Sequence, residues 1–116
     1  MIHVRVLYNR QRPIEVDSVF DTGAAITILP ENLAEAAGFA HTGEVVLVDF
    51  DGTKAYTAPV GRCAASLDGS AWVDVPCALG RSAIMSPYSF TPWEFELIPP
   101  HTLYIYRRLT NAREPR

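Results

Sequence analysis

Short runs of β-branched, aromatic and other apolar residues recur along the chain, and most of them end at a turn signal. Residues 2–8 alternate apolar and polar side chains, residues 14–20 do so again, and a polar turn separates the two. This period of two is typical of half-buried strands, so the first twenty residues predict a β-hairpin. Further β-type runs cover residues 26–29, 44–50, 53–60, 62–67, 71–78, 93–98 and 102–108. So many short strands favour an all-β fold, a small barrel or sandwich.

Turn and helix signals divide these runs. Asp51-Gly52 lies between two of them and is a strong signal for a hairpin. Residues 30–39 predict a short helix, because Pro30 suits a first helical turn and a glycine follows the apolar stripe. Residues 81–85 predict one or two further helical turns that end before Pro87.

Composition excludes several classes of function. The 116 residues carry a net charge of −3, which does not favour binding to nucleic acid or to an anionic membrane. No apolar run approaches the roughly 20 residues of a transmembrane helix, and the first residues resemble a strand more than a signal peptide. We therefore expect a cytoplasmic protein with one domain over residues 1–110 and a polar tail over 111–116, although it could be part of a larger protein.

The metal-ligating residue types are sparse. Cys63 and Cys77 have no other cysteine or histidine at the spacing of a metal site, so we expect no metal and no cofactor. Free, buried thiols are the favoured interpretation, and a single disulfide stays open.

One segment, VFDTGAAITILP over residues 19–30, places an acid inside an otherwise apolar run. Burying an unpaired carboxylate costs several kcal/mol unless something compensates it. Asp21 is therefore either a solvated turn residue or part of a working site. Gly23 allows a sharp turn and a close approach of a ligand chain, and Thr27 can hydrogen-bond back into the loop.

This segment resembles the active-site segment of retropepsin-like aspartic proteases, in which an apolar pair precedes D-T-G-A and a short strand with Thr or Ser follows. Bacterial single-domain members often continue with Leu-Pro and a short helix that ends in Gly, as residues 29–38 do here. A second family mark, an apolar pair followed by Gly at the start of a helix, is similar to residues 78–81, and the hairpin at Asp51-Gly52 lies where the family has its flap. The resemblance implies a small closed acid-protease barrel with one or two short helices, acting as a two-fold homodimer.

The family chemistry needs two carboxylates, and this chain has one D-T-G motif. The resemblance implies that each chain of the dimer contributes one Asp21, that the two acids share a proton, and that the dimer cleaves peptide bonds in an extended peptide or protein substrate. Thr22 would hydrogen-bond to the partner chain, and Gly23 would complete the catalytic loop. The residues implied to contact substrate are Ala24, Ile26, Ile28, Phe50, Asp51, Gly52, Thr53 and Ala78. For Ile26, Ile28 and Ala78, ordinary core packing is an equally favoured alternative.

Some positions depart from the family pattern. Ala25 stands where retroviral members have an acid that pairs with the Arg after the second Gly, so Arg81 must find another acid or be solvated. The flap tip has an acid, Asp51, which could favour a basic or polar substrate group. Two alternatives to a protease stay open: a non-catalytic dimerisation or peptide-binding module, and an unrelated small barrel in which Asp21 caps a turn.

Overall fold

The computed structural model describes residues 1–48 and 51–108 of the chain, so Phe50 and the tail at 111–116 lie outside the described residues. The chain is built from short strands with two single-turn 3₁₀ helices, at Glu31–Leu33 and Pro87–Ser89. The strands are β1 (His3–Tyr8), β2 (Ile14–Phe20), β3 (Thr27–Pro30), β4 (Ala40–Val48), β5 (Ala55–Ser66), β6 (Val73–Gly80), β7 (Ile84–Met85), β8 (Trp93–Ile98) and β9 (Thr102–Arg107). No helix in the described ranges is long and apolar enough to cross a membrane.

Six strands form a closed ring. The hydrogen-bonded order is β1, β2, β7, β3, β6 and β5, and β5 pairs back onto β1 at Leu7 with Ser66 and Tyr8 with Ala65. Strand β4 continues the sheet outside the ring by pairing with the first half of β5. The predicted all-β fold with a small closed barrel is therefore confirmed.

The alternation of side chains along β1 and β2 explains why these segments are strands. Val4, Val6 and Tyr8 point into the barrel and are buried, while His3 and Arg5 point outwards to pair with acids of β2. Burying this apolar face removes it from water, which is the main favourable contribution to folding. The interior is completed by buried side chains of the other ring strands, including Leu29, Val75 and Met85, and by Phe90, which follows the second 3₁₀ turn. Cys63 and Cys77 are free thiols in this interior.

The predicted separation of residues 53–60 and 62–67 into two strands is wrong, because β5 runs through residue 61 without interruption. Gly61 pairs with His41 of β4 on one side and with Cys77 of β6 on the other. A side chain cannot fit there, since a Cβ on Gly61 would lie 2.2 Å from the carbonyl oxygen of Ala40. The glycine therefore marks a close approach of two strands and not a turn.

Both predicted helices also differ from the structure. Residues 30–39 form only the 3₁₀ turn at Glu31–Leu33, followed by further turns that end at Gly38, whose φ of +72° suits glycine. Residues 81–85 do not form a helix, because Ile84 and Met85 form β7. Gly80 ends β6, so the residues resembling the second family mark do not open a helix here. The second 3₁₀ turn instead begins after the predicted stop, at Pro87, a residue that suits a first turn.

Strand β7 is short but central. It pairs parallel to the end of β2, through Val19 with Ile84 and Phe20 with Met85, and antiparallel to β3 through Ile28. Because neighbouring strands cover this apolar pair on both sides, the strand conformation is favoured over the helix that the local sequence weakly predicts.

The last two β-type runs are strands, as predicted, and they form a separate antiparallel hairpin that packs against the barrel. Trp93 is buried at its base, and the Phe95 ring lies 5.4 Å from the Phe20 ring, centroid to centroid. An ion pair of 2.7 Å between Arg107 Nη1 and Asp68 Oδ2 ties β9 to the turn between β5 and β6. A two-stranded hairpin is marginally stable alone, so these contacts hold it in place.

The pH dependence of stability should report on this tie. Partial burial works to raise the pKa of Asp68, but hydrogen bonds from two backbone amides, the Arg107 guanidinium and the Ser66 hydroxyl outweigh it and lower the pKa to about 2. A lowered pKa in the folded state means that the stabilisation is complete above the ordinary value of 3.8 and is lost as the pH falls through about 2. We expect Asp68→Asn to lower the free energy of unfolding by about 1 kcal/mol at neutral pH, a value discounted for partial solvent exposure.

Urea denaturation at neutral pH and near pH 2 measures this effect, and the deficit of the variant should shrink in acid. Asp74→Asn is the matched control, since Asp74 also forms a 2.7 Å ion pair, with Arg62, but its side chain is 63% exposed. An Asp68→Asn deficit that equals the control and does not change with pH would show that the tie contributes nothing.

Candidate active site

The D-T-G loop begins where β2 ends, and backbone hydrogen bonds fix its first residue. The amide of Asp21 donates to the carbonyl of Met85 in β7 at 3.1 Å, which anchors the carboxylate-bearing residue to the middle of the sheet. The Gly23 amide donates to Asp21 Oδ1 at 2.8 Å, and the Ala24 amide donates to the Asp21 carbonyl at 3.2 Å. The loop is thus a tight turn built around Asp21.

The close packing of this turn explains the glycine. A Cβ on Gly23 would lie 3.3 Å from Asp21 Oδ1, closer than most side-chain contacts, so a larger residue would crowd the carboxylate. Asp21 is half-buried, while Thr22 and Gly23 are exposed. One carboxylate oxygen therefore holds the turn, and Oδ2 makes no hydrogen bond with any residue in the described part of the chain.

Residues just after β7 hold the other side of the loop. The fully buried Ser86 donates from its amide to Thr27 Oγ1 at 3.0 Å and from its hydroxyl to the Ala24 carbonyl at 2.8 Å. The phenol of Tyr88 donates to the Thr22 carbonyl. These bonds leave the loop little freedom, which is what a reacting group needs for a defined geometry.

A groove of about 920 Å³ lies between the β4–β5 hairpin and the barrel. We call it the hairpin groove. Its hairpin wall is formed by residues 53–59, and its opposite wall includes Ile28, Leu79 and Ile84. Asp21 does not line it in the single chain, but Ile84 is the neighbour of Met85, which anchors Asp21. The volume is that of a site for a ligand of several residues.

The residues that the family resemblance implies to contact substrate differ in burial and in whether they line the hairpin groove. Ile28 and Thr53 line the hairpin groove. Ala24, in the D-T-G loop, and Ile26 are both half-buried. Ala78 is fully buried and exposes no surface in the single chain.

In the described part of the hairpin tip, Thr53 and Lys54 line the groove, while Asp51 and Gly52 do not. Asp51 and Gly52 are exposed, and Gly52 has a φ of +76°. Asp51 Oδ1 accepts hydrogen bonds from the Thr53 amide at 3.0 Å and the Thr53 hydroxyl at 2.8 Å, and these bonds lower the pKa of Asp51. Asp51 therefore acts as a turn residue, and Phe50 lies outside the described residues.

Sequence reasoning missed several residues at the site. Ser86 and Tyr88 were not considered, and a polar residue after the apolar pair Ile84-Met85 was the available signal. Two residues of the groove lining, Lys54 and Ile84, were also missed, and Ile84 was missed because residues 81–85 were predicted to be helical. No three His, Cys, Asp or Glu side chains lie close enough to hold a metal ion within residues 1–48 and 51–108.

Comparisons with known proteins agree with this architecture. No protein-family profile matches the chain, and a search of curated proteins finds no significant match. Among solved structures, the solution structure of Simian Foamy Virus (mac) protease superposes with a TM-score of 0.55. The alignment has 14% sequence identity and covers 77% of this chain and 91% of that one. The chain has a retropepsin-like fold. At this identity the similarity shows the fold alone.

The hydroxyl of Ser86 should be important for holding the loop. Ser86→Ala leaves the partly buried Ala24 carbonyl without its donor, and we expect it to lower the free energy of unfolding by about 1–3 kcal/mol. Ser18→Ala is the matched control, since Ser18 is also buried but its hydroxyl makes only a 3.4 Å bond to the Val16 carbonyl. Denaturant unfolding measures the cost, and hydrogen exchange at the Gly23 and Ala24 amides reports the loop. Equal costs with unchanged exchange would contradict the role given to Ser86.

Proposed function

We propose that this chain is one subunit of a homodimeric aspartic endopeptidase, in which Asp21 from each subunit forms the catalytic pair. The observation that carries the proposal is the position of the D-T-G loop. In a retropepsin-like fold, a half-buried carboxylate stands at the end of β2 with Oδ1 held by the Gly23 amide and Oδ2 unused by the described residues. The aligned viral protein is itself named as a protease.

The reaction requires the two Asp21 carboxyl groups to be in different protonation states, one ionised and one protonated. The ionised Asp21 takes a proton from a water molecule, whose oxygen attacks the carbonyl carbon of the scissile peptide bond. The protonated Asp21 gives its proton to the carbonyl oxygen. Collapse of the tetrahedral intermediate then breaks the C–N bond, the amine leaves with a proton, and the pair again holds one proton. Two carboxylates in contact share a proton in this way in aspartic proteases generally.

A second copy is needed because a single chain carries one such acid. Thr22 is exposed beside Asp21, and Tyr88, which holds the Thr22 carbonyl, is 64% exposed. The C-terminal hairpin adds exposed apolar side chains, including Leu97 and Ile98, and part of it lines an indentation with Thr22. Exposed apolar side chains such as these favour association. In the proposal, the partner subunit covers this side and brings its own Asp21 to the two-fold axis.

The decisive variant is Asp21→Asn, which keeps the shape of the side chain but removes its proton chemistry. We expect cleavage of a degenerate peptide library to fall by at least about a thousandfold, since both roles in the mechanism need a carboxyl group. Asp17→Asn is the control, because Asp17 lies on β2, the strand that leads to Asp21, is exposed and forms an ion pair with His3. Mass spectrometry of the library measures cleavage, and circular dichroism checks the fold of each variant.

Two further results would bear on the same proposal. The pH profile of cleavage should be bell-shaped with its maximum in mild acid, because only a singly protonated pair is competent. Specific activity should fall on dilution as the dimer dissociates. Full activity in a folded Asp21→Asn sample would rule out the mechanism.

The second candidate is a non-catalytic module that binds an extended peptide. One observation favours it: Asp21 Oδ1 already has a structural partner in the Gly23 amide, as expected of an acid that merely caps a turn. In that case the hairpin groove binds peptides of the library, no product appears at any pH, and Asp21→Asn binds as well as the wild type.

A further inference from the structure

The hairpin groove carries an excess of positive charge in a chain whose net charge is negative. Lys54 projects from the hairpin wall and Arg81 from the opposite wall, and Glu31 is the single acid in the lining. All three side chains are exposed. None of them forms an ion pair within 4.0 Å with the described residues, so the ion pairs found in residues 1–48 and 51–108 lie elsewhere.

The acid that the sequence suggested for this region does not offset these cations. Asp51 is at the tip of the hairpin, outside the groove lining, and its carboxylate is bound to Thr53 of its own turn. The expectation that Asp51 would favour a basic substrate group therefore has no geometric support.

A difference from the family at a second position leaves Arg81 without the acid that pairs with this arginine there. Where the family has an acid that pairs with this arginine, the chain has Ala25, which carries no charge. Arg81 instead lies in the lining of the hairpin groove. Its guanidinium offers several donors in a planar fork, which matches the geometry of a carboxylate.

The apolar part of the groove complements these cations. Ile28, Leu79 and Ile84 form an apolar surface on the same wall as Arg81. In an extended peptide, side chains two positions apart point to the same side and lie about 7 Å from each other. A peptide that carries an apolar residue and an acidic residue two positions apart could thus place both side chains in this groove.

From these observations we propose that the hairpin groove selects extended peptides in which Asp or Glu lies two positions from a large apolar residue. Lys54 and Arg81 recognise the acid, while Ile28 and its neighbours take the apolar side chain. This inference rests on the proposed function for its substrate, an extended peptide, but it concerns recognition and not the cleavage step.

Binding to the Asp21→Asn protein tests the inference without requiring cleavage. The probes are three fluorescent peptides with an identical apolar-X-Z core, where Z is Glu, Gln or Lys. We expect the Glu peptide to bind about fivefold more tightly than the Gln peptide and the Lys peptide to bind most weakly, as for exposed charge pairs. The preference should decrease at high ionic strength, because salt screens exposed charges.

Variants of the two cations test which residues cause the preference for the Glu peptide. Arg81→Gln and Lys54→Gln should each reduce the ratio of Glu to Gln binding, and the double variant should abolish it. Arg10→Gln is the matched control, since Arg10 is an exposed cation in the β1–β2 turn and does not line the groove. It changes the net charge by the same amount and should leave the ratio unchanged.

The outcomes separate this inference from the proposed function. Equal binding of the three peptides, or an unchanged ratio in the double variant, overturns the inference even if the wild-type protein cleaves peptides. Binding with the expected preference, but no cleavage by the wild type at any pH, supports the inference and overturns the proposed mechanism. The absence of binding to any of the peptides contradicts the inference.

Discussion

The structure depends on how one carboxylate is held at the end of a strand in the middle of a sheet. Asp21 follows β2 directly, and its amide is bonded to the Met85 carbonyl of β7, so the residue cannot move away from the barrel. The cost of partly burying an acid is reduced by a charge-assisted hydrogen bond from the Gly23 amide. A carboxylate that is fixed and only half satisfied is suited to further interactions, and this is the physical basis of the proposed catalytic pair.

Other parts of the chain support this arrangement. Strand β7 is only two residues long, yet it separates β2 from β3 and delivers Ser86 to the inner side of the loop. The same strand contributes Ile84 to the hairpin groove. A short segment thus couples the position of the carboxylate to the shape of the groove, so that substitutions here should affect both together.

Much of the fold could be predicted from local patterns, and the exceptions have identifiable causes. The period of two in β1 and β2 was sufficient, because both strands have one buried and one exposed face. The runs on either side of Gly61 were predicted as separate strands, because local sequence does not show that this glycine lies where two strands approach closely. Ile84-Met85 was misinterpreted because its strand conformation comes from two partners that are distant in the sequence.

The residues of the candidate site also divide into those that local sequence identifies and those that only folding brings together. The D-T-G motif is local, so Asp21, Thr22 and Gly23 could be identified at once, and their role in catalysis stays a prediction. The Ser86 bond to Ala24 joins residues 62 positions apart, and the charges of Lys54 and Arg81 meet in one groove only after folding. Ala78 resembled a pocket residue, and its side chain is fully buried in the single chain, so its contact with substrate stays a prediction.

The central claim is that one Asp21 from each of two chains makes a single working site, and a mixing experiment tests it directly. Wild-type protein is mixed with an equal amount of Asp21→Asn at a concentration that keeps all chains dimeric, and subunits are allowed to exchange before peptide cleavage is measured. Random pairing leaves about one quarter of the dimers with two aspartates, so we expect activity to fall to about a quarter of that of the same total amount of wild type. Activity that falls only to one half, in proportion to the wild-type chains present, would show that each chain acts alone.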